Sequence, residues 1–259
     1  MHLISGEGDD VSLSVQDLSK HFNGVVALDS FSFETRPSEI LGLVGQNGAG
    51  KTTLFNVIAG FLSPDSGKGE FKGHPLIGPP AHKIANLGIA RTFQNLRLIR
   101  RITVLENLLL CFKNQPGENL LNVFFRPGLC KRHEAGIREK ALALLETAGL
   151  FAKANYLADN LSYGQQKLLS LMCCLAADAE LLLLDEPVAG IAPEMAERIL
   201  GVIADLPKQG KSAIVIEHDI DALKGIAHRM IFMDAGRKIC EGAPDDVFND
   251  PRVIEAYLD

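Results

Sequence analysis

A continuous apolar segment, Ile40–Val44, leads directly into a glycine-rich stretch that is followed by helical spacing at Lys51–Ala59. An apolar run of this length is typical of a strand that is buried on both faces of a parallel sheet. The residues between, Gly45-Gln46-Asn47-Gly48-Ala49-Gly50-Lys51-Thr52, match the pattern G-x-x-x-x-G-K-[ST]. Glycines let backbone N–H groups turn inward, and the helix that follows directs its positive end toward the same point. The order strand, loop and helix therefore predicts a phosphate-binding loop.

The residues of this loop have predicted contacts with a nucleotide. Lys51 is expected to reach the β- and γ-phosphates, and the Thr52 hydroxyl to ligate Mg²⁺. Thr53 either touches the α-phosphate or packs. The remaining candidate ATP-binding residues are those whose backbone forms the loop: Gly45, Gln46, Asn47, Gly48, Ala49 and Gly50. An ordinary glycine-rich turn with a chance Lys-Thr is the alternative, which the flanking strand and helix disfavour.

Two carboxylates follow a second apolar segment, Leu181–Leu184, which is too short for a helix and is typical of a buried strand. In open α/β sheets, ligands bind at the carboxyl ends of the strands. Asp185 is therefore predicted to hold Mg²⁺ through water, and Glu186 to polarise the water that attacks the γ-phosphate. A solvated strand end or a helix-cap charge is the alternative, and the phosphate loop favours the catalytic interpretation.

Strands and helices alternate along the chain after residue 40, which predicts a mostly parallel sheet covered on both faces, hence the α/β class. Ahead of it, Val11–Lys20 and Val25–Phe33 alternate apolar and polar residues around Asn23-Gly24, as in an antiparallel pair. We expect one domain, with residues 1–94 and 179–259 forming the core and an antiparallel β subdomain, and residues 95–178 forming a helical subdomain. Helices are predicted at Glu134–Ala148, Ser162–Asp178 and Pro193–Leu206, a strand at Ser212–Glu217, a hairpin around Ala235-Gly236, two short helices after Pro244, and a loop or helical insertion at 112–133.

Composition disfavours several functional classes. A net charge of −6 leaves no basic excess for binding nucleic acid. The five cysteines include no Cys-x-x-Cys, so we expect reduced thiols rather than disulfides or a zinc site. No apolar stretch reaches the ~18 residues of a membrane-spanning helix, so any membrane role is expected to come through a partner.

The segment Leu161-Ser162-Tyr163-Gly164-Gln165-Gln166 opens the helix that precedes the carboxylate strand. Ser162 and Gln165 have the spacing of a capping box, which taken alone indicates only a well-capped helix. In this position, however, the segment resembles the signature motif of ABC ATPases, whose usual form is Leu-Ser-Gly-Gly-Gln. The resemblance implies that two chains meet head to tail. Ser162, Gly164 and Gln165 would then face the ATP that the other chain's phosphate loop holds.

Other elements of the same family occur in the same order. Phe22 resembles the aromatic residue that stacks on adenine, with a core phenylalanine as the alternative. Gln94 resembles the Q-loop glutamine, which senses Mg²⁺ and the attacking water. His218 resembles the switch histidine that contacts the γ-phosphate, and the surrounding motifs favour this role over a structural one. The resemblance thus implies a P-loop NTPase core of the ABC ATPase type, whose catalytic residues are Lys51, Gln94, Glu186 and His218.

A narrower resemblance lies in Arg91–Leu108, in the Tyr163 form of the signature, in Ala189-Gly190 after Pro187, in Glu217-His218-Asp219, in the irregular insertion at 112–133 and in the ending Ala256-Tyr257-Leu258. These resemble ATPase subunits of branched-chain amino acid importers, whose relatives carry other amino acids, amides or urea. The resemblance implies ATP and Mg²⁺ as cofactors and a location on the cytoplasmic face of the inner membrane. The implied partners are a second, identical or different, ABC ATPase subunit, two transmembrane permease subunits and, indirectly, an external substrate-binding protein.

Within the narrower resemblance, Leu96–Leu110 is expected to dock the permease, and Arg97, Arg100 and Arg101 either take part or form a solvated face. Two departures concern coupling and partner choice: Cys173 and Cys174 interrupt the usual run after the signature, where Lys167 keeps one basic residue, and Ala192 replaces the usual Asn or Asp.

The sequence disfavours three alternatives to an importer ATPase. A soluble ABC ATPase of DNA repair, translation or cluster assembly is disfavoured by the acidic balance and the single cassette. A regulator without catalysis is disfavoured by Glu186 and His218. A GTPase or a small-molecule kinase would also use a phosphate loop, but the sequence contains no Asn-Lys-x-Asp guanine-binding motif.

Overall fold

The described part of the chain, in a computed structural model, comprises residues 11–92, 98–113, 115–118, 125–217 and 220–258. Gln94 and His218, two of the predicted site residues, lie outside it. The strands are Leu13–Phe22 (β1), Val25–Thr35 (β2), Ile40–Val44 (β3), Ser66–Phe71 (β4), His74–Pro75 (β5), Ile89–Arg91 (β6), Leu181–Asp185 (β7), Ser212–Ile216 (β8), Arg229–Asp234 (β9) and Arg237–Gly242 (β10). The α-helices are Lys51–Ile58 (α1), Ala81–Asn86 (α2), Val104–Leu109 (α3), Pro127–Thr147 (α4), Tyr163–Ala176 (α5), Pro193–Ala204 (α6), Ile220–Lys224 (α7), Pro244–Phe248 (α8) and Pro251–Leu258 (α9).

The larger sheet has six strands in the order β10-β9-β3-β8-β7-β6. All neighbouring pairs are parallel except β9 and β10, which form the predicted hairpin. Strands β3, β7 and β8 are buried along their whole length, as their apolar sequences predict. Because the strands are parallel, the carboxyl ends of β3 and β7 lie on the same side of the sheet. The glycine-rich loop and Asp185 therefore lie on that side together.

Alternate residues of β7 pack into two different cores, one on each face of the sheet. Leu182 and Leu184 join the cluster that contains the helices α3, α4 and α5, whereas Leu181 and Leu183 join the cluster formed with α1 and the N-terminal strands. This division follows from the twofold alternation of side chains along a strand. It explains why four consecutive leucines are needed there.

The smaller sheet is antiparallel, in the order β2-β1-β4-β5. The pairing of β1 with β2 confirms the predicted hairpin around Asn23-Gly24. The sequence did not indicate β4, β5 or β6. Ser66–Phe71 contains two glycines and a lysine, and it is extended because it pairs with β1.

The helical region differs from the expectation at one boundary, because α4 begins at Pro127 and not at Glu134. The residues 128–136 are mostly exposed, so this first part of the helix shows no apolar periodicity. Proline is well suited to the first turn, where its missing N–H is not needed. Within the described residues of 95–178, the only strand-like pairing is an isolated bridge between Thr103 and Leu157. No helix among the described residues has both the length and the apolarity to cross a bilayer.

Replacing Leu183 by alanine tests the two-sided burial of β7. Leu183 is fully buried, so Leu183→Ala is expected to lower the free energy of unfolding by about 2–5 kcal/mol. Leu129, which is 47% exposed on α4, provides the control, because Leu129→Ala is expected to change stability by less than about 0.5 kcal/mol. Urea denaturation measures the free energy of unfolding of both variants. Equal losses in the two variants would contradict the burial of β7 on both faces.

Candidate functional site

The glycine-rich loop is fixed by two close backbone approaches. A Cβ atom at Gly45 would lie 2.0 Å from the carbonyl oxygen of Met233, and one at Gly50 would lie 2.2 Å from that of Ala27. Gly50 also has φ +103°, a value that L side chains rarely adopt. The loop is therefore held between β2 and β9, and the N–H of Gly236 donates to the Ala49 carbonyl at 3.0 Å.

Lys51 lies inside the loop and is only 6% exposed. Its ammonium donates to the carbonyl oxygens of Gly45 at 2.5 Å and Gln46 at 2.8 Å. Burial lowers the pKa of the Lys51 amine, and the charges of Glu186 and Asp185 oppose this effect. The loop thus encloses a positive charge close to two carboxylates, Asp185 at the end of β7 and Glu186 directly after it.

An open cavity of about 220 Å³ joins the loop to one of these carboxylates. It is lined by Val25, Val26, Ala27, Asn47, Gly48, Ala49, Gly50, Lys51, Thr52, Thr53, Glu186 and Ile216. Most of the predicted phosphate-contacting residues therefore share one cavity with Glu186. Gly45 and Gln46 contribute through their carbonyls to Lys51.

Phe22 ends strand β1 beside this cavity, in register with the cavity-lining Val25. It is 45% exposed, so the alternative of a core phenylalanine is excluded. The Lys20 ammonium lies 5.6 Å from the centre of its ring. An exposed aromatic ring beside the cavity is able to stack on a planar group.

Asp185 is a buried carboxylate, and one of its two oxygens accepts a hydrogen bond from Arg91. Its Oδ2 accepts from Arg91 Nη2 at 3.1 Å, whereas Oδ1 has no hydrogen-bond partner among the described residues. Burial raises the pKa of the Asp185 carboxyl, against the opposing influence of Arg91. A buried oxygen without a partner is costly unless a water or cation occupies the space beside it.

Glu186 has a left-handed backbone, with φ +49°. This conformation costs a residue other than glycine about 1–3 kcal/mol and persists only where the surroundings impose it. Its N–H donates to the Ile216 carbonyl at 2.9 Å, and its own carbonyl accepts from Lys167 Nζ at 2.7 Å. The turn directs the residue toward the phosphate loop.

The segment Leu161–Gln166 forms the predicted capping box at the start of α5. The Ser162 hydroxyl accepts from the Gln165 N–H at 3.4 Å, and the Gln165 side chain accepts from the Ser162 N–H at 3.2 Å. At Gly164 a Cβ would lie 2.7 Å from Met195 Cγ on α6, which explains the need for glycine. None of the described residues that line the cavity comes from this segment.

Sequence reasoning missed several residues that contact the site. Arg91 pairs with Asp185, and Val25–Ala27 form one wall of the cavity. Lys167 and Glu217 hold the turn after Asp185 from two sides. These contacts join residues that are far apart in sequence, so no local sequence pattern predicts them.

Comparison with known proteins finds relatives along nearly the whole chain. Residues 28–189 match the family model described as ABC transporter, and residues 237–258 match one described as branched-chain amino acid ATP-binding cassette transporter. The chain is 38% identical over 247 residues to the high-affinity branched-chain amino acid transport ATP-binding protein LivG of Escherichia coli strain K12, a match that covers 95% of this chain and 97% of that protein. It is also 38% identical over 250 residues to the probable branched-chain amino acid transport ATP-binding protein LivG of Archaeoglobus fulgidus, covering 95% of both chains.

Two solved structures are similar over almost their full length. A nucleotide-free ATP-binding cassette from an ABC transporter superposes with a TM-score of 0.82 at 32% identity, covering 96% of this chain and 99% of the other. An ATP-binding cassette in its ADP conformation gives a TM-score of 0.82 at 33% identity, covering 96% and 98%. These similarities confirm the predicted fold class, a P-loop NTPase core of the ABC ATPase type with antiparallel and helical parts.

Replacing Gly50 by alanine tests whether the loop depends on its close backbone approach. Gly50→Ala is expected to lower the free energy of unfolding by more than about 1 kcal/mol, because the new Cβ meets the Ala27 carbonyl at a positive φ. Gly136→Ala is the control, since Gly136 lies in α4 with open space around it, and alanine there is expected to be neutral or stabilising by up to about 1 kcal/mol. Thermal unfolding measures the stability of both variants. An equally stable Gly50→Ala protein would contradict the geometry.

Proposed function

The chain belongs to the ABC transporter family, and we propose that it is the ATP-hydrolysing subunit of an importer for branched-chain or other amino acids. One observation carries this function: Lys51, the phosphate loop and Glu186 line a single cavity. The cargo class rests on the relatives named as branched-chain amino acid transport proteins, which match 95% of this chain. Import of urea or amides by the same type of complex is the alternative, because other subunits select the cargo.

Nucleotide binding is assigned to the loop and to the start of α1. The backbone N–H groups at Gly48–Lys51 would bind phosphate oxygens, and the positive end of α1 favours the same negative charge. Lys51 would exchange its bonds with the Gly45 and Gln46 carbonyls for bonds to the β- and γ-phosphates. Phe22 would stack on the adenine, and Thr53 would contact the α-phosphate.

The residues near Asp185 fit a magnesium ion. Asp185 Oδ1 is buried without a hydrogen-bond partner among the described residues, and oxygen donors are what this cation prefers. Thr52 and Asp185 would hold it, with Gln94 as a further proposed ligand. When bound, Mg²⁺ neutralises charge on the phosphate oxygens.

Hydrolysis is assigned to Glu186 as the group that orients and polarises the attacking water. Its left-handed turn places it at the cavity wall, opposite Lys51. Lys51 would stabilise the charge that develops on the transferred phosphoryl group. His218 is proposed to contact the γ-phosphate, and Gln94 to sense the water.

A complete site is proposed to need a second ABC ATPase subunit, identical or different. Ser162, Gly164 and Gln165 lie at the start of α5, yet no residue of that segment lines the cavity of its own chain. In a head-to-tail pair, the start of α5 from one chain would face the γ-phosphate held by the other. ATP would then hold the two chains together electrostatically, and hydrolysis would release them.

Leu96–Leu110, of which the structure describes residues 98–110, is proposed as the permease-docking surface of a helical subdomain at 95–178. Ile99 is 51% exposed and Leu110 is 63% exposed, beside an equally exposed Tyr156 whose carbonyl accepts from the Val104 N–H. Exposed apolar groups of this kind favour a protein partner. The proposed partners are two transmembrane permeases served by an external binding protein. With these partners, the chain would lie peripherally on the cytoplasmic face of the inner membrane.

Replacing Glu186 by glutamine tests the hydrolytic role. Glu186→Gln keeps the size of the side chain but is expected to lower ATP turnover at least about a hundredfold, because the amide is not a base. ATP binding should persist and trap a stable dimer, measurable by size-exclusion chromatography with ATP. Glu146→Gln, an exposed change on α4, is the control. Unchanged turnover in Glu186→Gln would remove Glu186 from this role.

Introducing a charge into the segment 98–110 tests permease docking. Leu110→Glu is expected to weaken co-purification with the membrane subunits at least about tenfold, because a charge replaces an apolar contact. Leu129→Glu places the same charge on another exposed leucine of the helical region and should not affect co-purification. Retained docking in Leu110→Glu, or co-purification with nucleic acid in place of permeases, would favour a soluble ATPase.

A further inference from the structure

The turn Glu186–Ala189 is held by hydrogen bonds of its backbone, in addition to the packing of Val188 in the core. The Glu186 N–H donates to the Ile216 carbonyl at 2.9 Å. The carbonyls of Glu186 and Ala189 both accept from the Lys167 ammonium, each at 2.7 Å. The Val188 N–H donates to Glu217 Oε1, also at 2.7 Å. Four backbone groups of one short turn therefore have fixed partners.

The two side chains in this arrangement come from different functional elements. Lys167 lies on α5, one turn after the capping box that contains Ser162. Glu217 directly follows β8 and precedes His218. Each is charged and each reaches a backbone group of the same turn, so the turn is held between the signature helix and the end of β8.

Burial makes these contacts specific. Glu217 is 1% exposed, and Lys167 is half-buried with its ammonium 5.2 Å from the centre of the Tyr163 ring. Burial lowers the pKa of the Lys167 amine, and the charges of Glu217 and Glu186 oppose this effect. Hydrogen bonds to a charged donor in such surroundings are strong and directional.

We propose that Lys167 and Glu217 are positioning residues that keep Glu186 in its left-handed conformation and so keep its carboxylate directed at the phosphate loop. Without Lys167, the Glu186 carbonyl loses its charged donor and keeps the longer bond from the Ala189 N–H at 3.4 Å, so the peptide that follows is held less firmly. The backbone of Glu186 then relaxes toward the ordinary region, and its side chain leaves the cavity wall. Because Lys167 is on α5, the position of the signature helix is coupled to the catalytic carboxylate. This inference rests on the proposed hydrolytic function.

The test compares steady-state ATP hydrolysis of variants in the transporter complex. Lys167→Met, which keeps the length but removes the donors, is expected to lower kcat at least about tenfold while KM stays within about twofold. Lys167→Arg retains donors for both carbonyls and should recover most of kcat. Lys211→Met is the matched control, because Lys211 also donates to a backbone carbonyl, that of Ala179, which lies before β7 and not in the turn at Glu186.

A second pair of variants approaches the turn from its other side. Glu217→Leu removes the acceptor for the Val188 N–H and should lower kcat, whereas Glu217→Gln keeps an oxygen there and should have a smaller effect. In a Glu186→Gln background, Lys167→Met should add no further loss, since it acts through Glu186. If Lys167→Met does not fold, the two Glu217 variants test the proposed positioning of Glu186 on their own.

Two results would overturn the inference while leaving the proposed function intact: an unchanged kcat in Lys167→Met and Glu217→Leu, or a loss of the same size in Lys211→Met. An additive loss on top of Glu186→Gln would also overturn it, because the effect would then not pass through that carboxylate. A wild-type complex that does not hydrolyse ATP would instead overturn the proposed function itself.

Discussion

The glycine-rich loop keeps its shape because the carbonyl oxygens of Ala27 and Met233 approach its backbone so closely that no side chain fits between them. These carbonyls belong to β2 of the small sheet and β9 of the large one. The loop is thus formed where the two sheets meet, and its conformation depends on both. Lys51, enclosed by the same loop, owes its buried position to this contact.

The loop and the end of β7 bring one cation, Lys51, close to the carboxylates of Asp185 and Glu186, and Lys51 and Asp185 are buried. Asp185 Oδ1 is buried without a hydrogen-bond partner among the described residues, and Lys51 donates to two carbonyls of the loop itself. Glu186 adds a strained backbone at the same edge. Such costs concentrate where a ligand or a reaction uses them, and the rest of the fold supports them through the buried strands β3, β7 and β8.

The elements that sequence reasoning identified are those whose own residues carry the signal. Ile40–Val44 and Leu181–Leu184 are uniformly apolar because both faces of their strands are covered, and the Ser162 capping box is a local motif. By contrast, β4 is extended because it pairs with β1, and the first part of α4 is mostly exposed. Neither segment therefore shows a hydrophobic periodicity that identifies it in the sequence. The same limit applied to the site, where Arg91 and Glu217 contact it only in the folded chain.

The sequence alone determined the phosphate loop, the carboxylates at a strand end and the order of motifs that indicates an ABC ATPase, because each lies within a short stretch of chain. Only the tertiary structure decided that Phe22 is exposed beside the cavity, that Asp185 has a buried oxygen without a partner in the described chain, and that Lys167 holds the turn at Glu186. These features depend on the distance between residues that are remote in sequence. Such distances are set by the packing of whole sheets and helices.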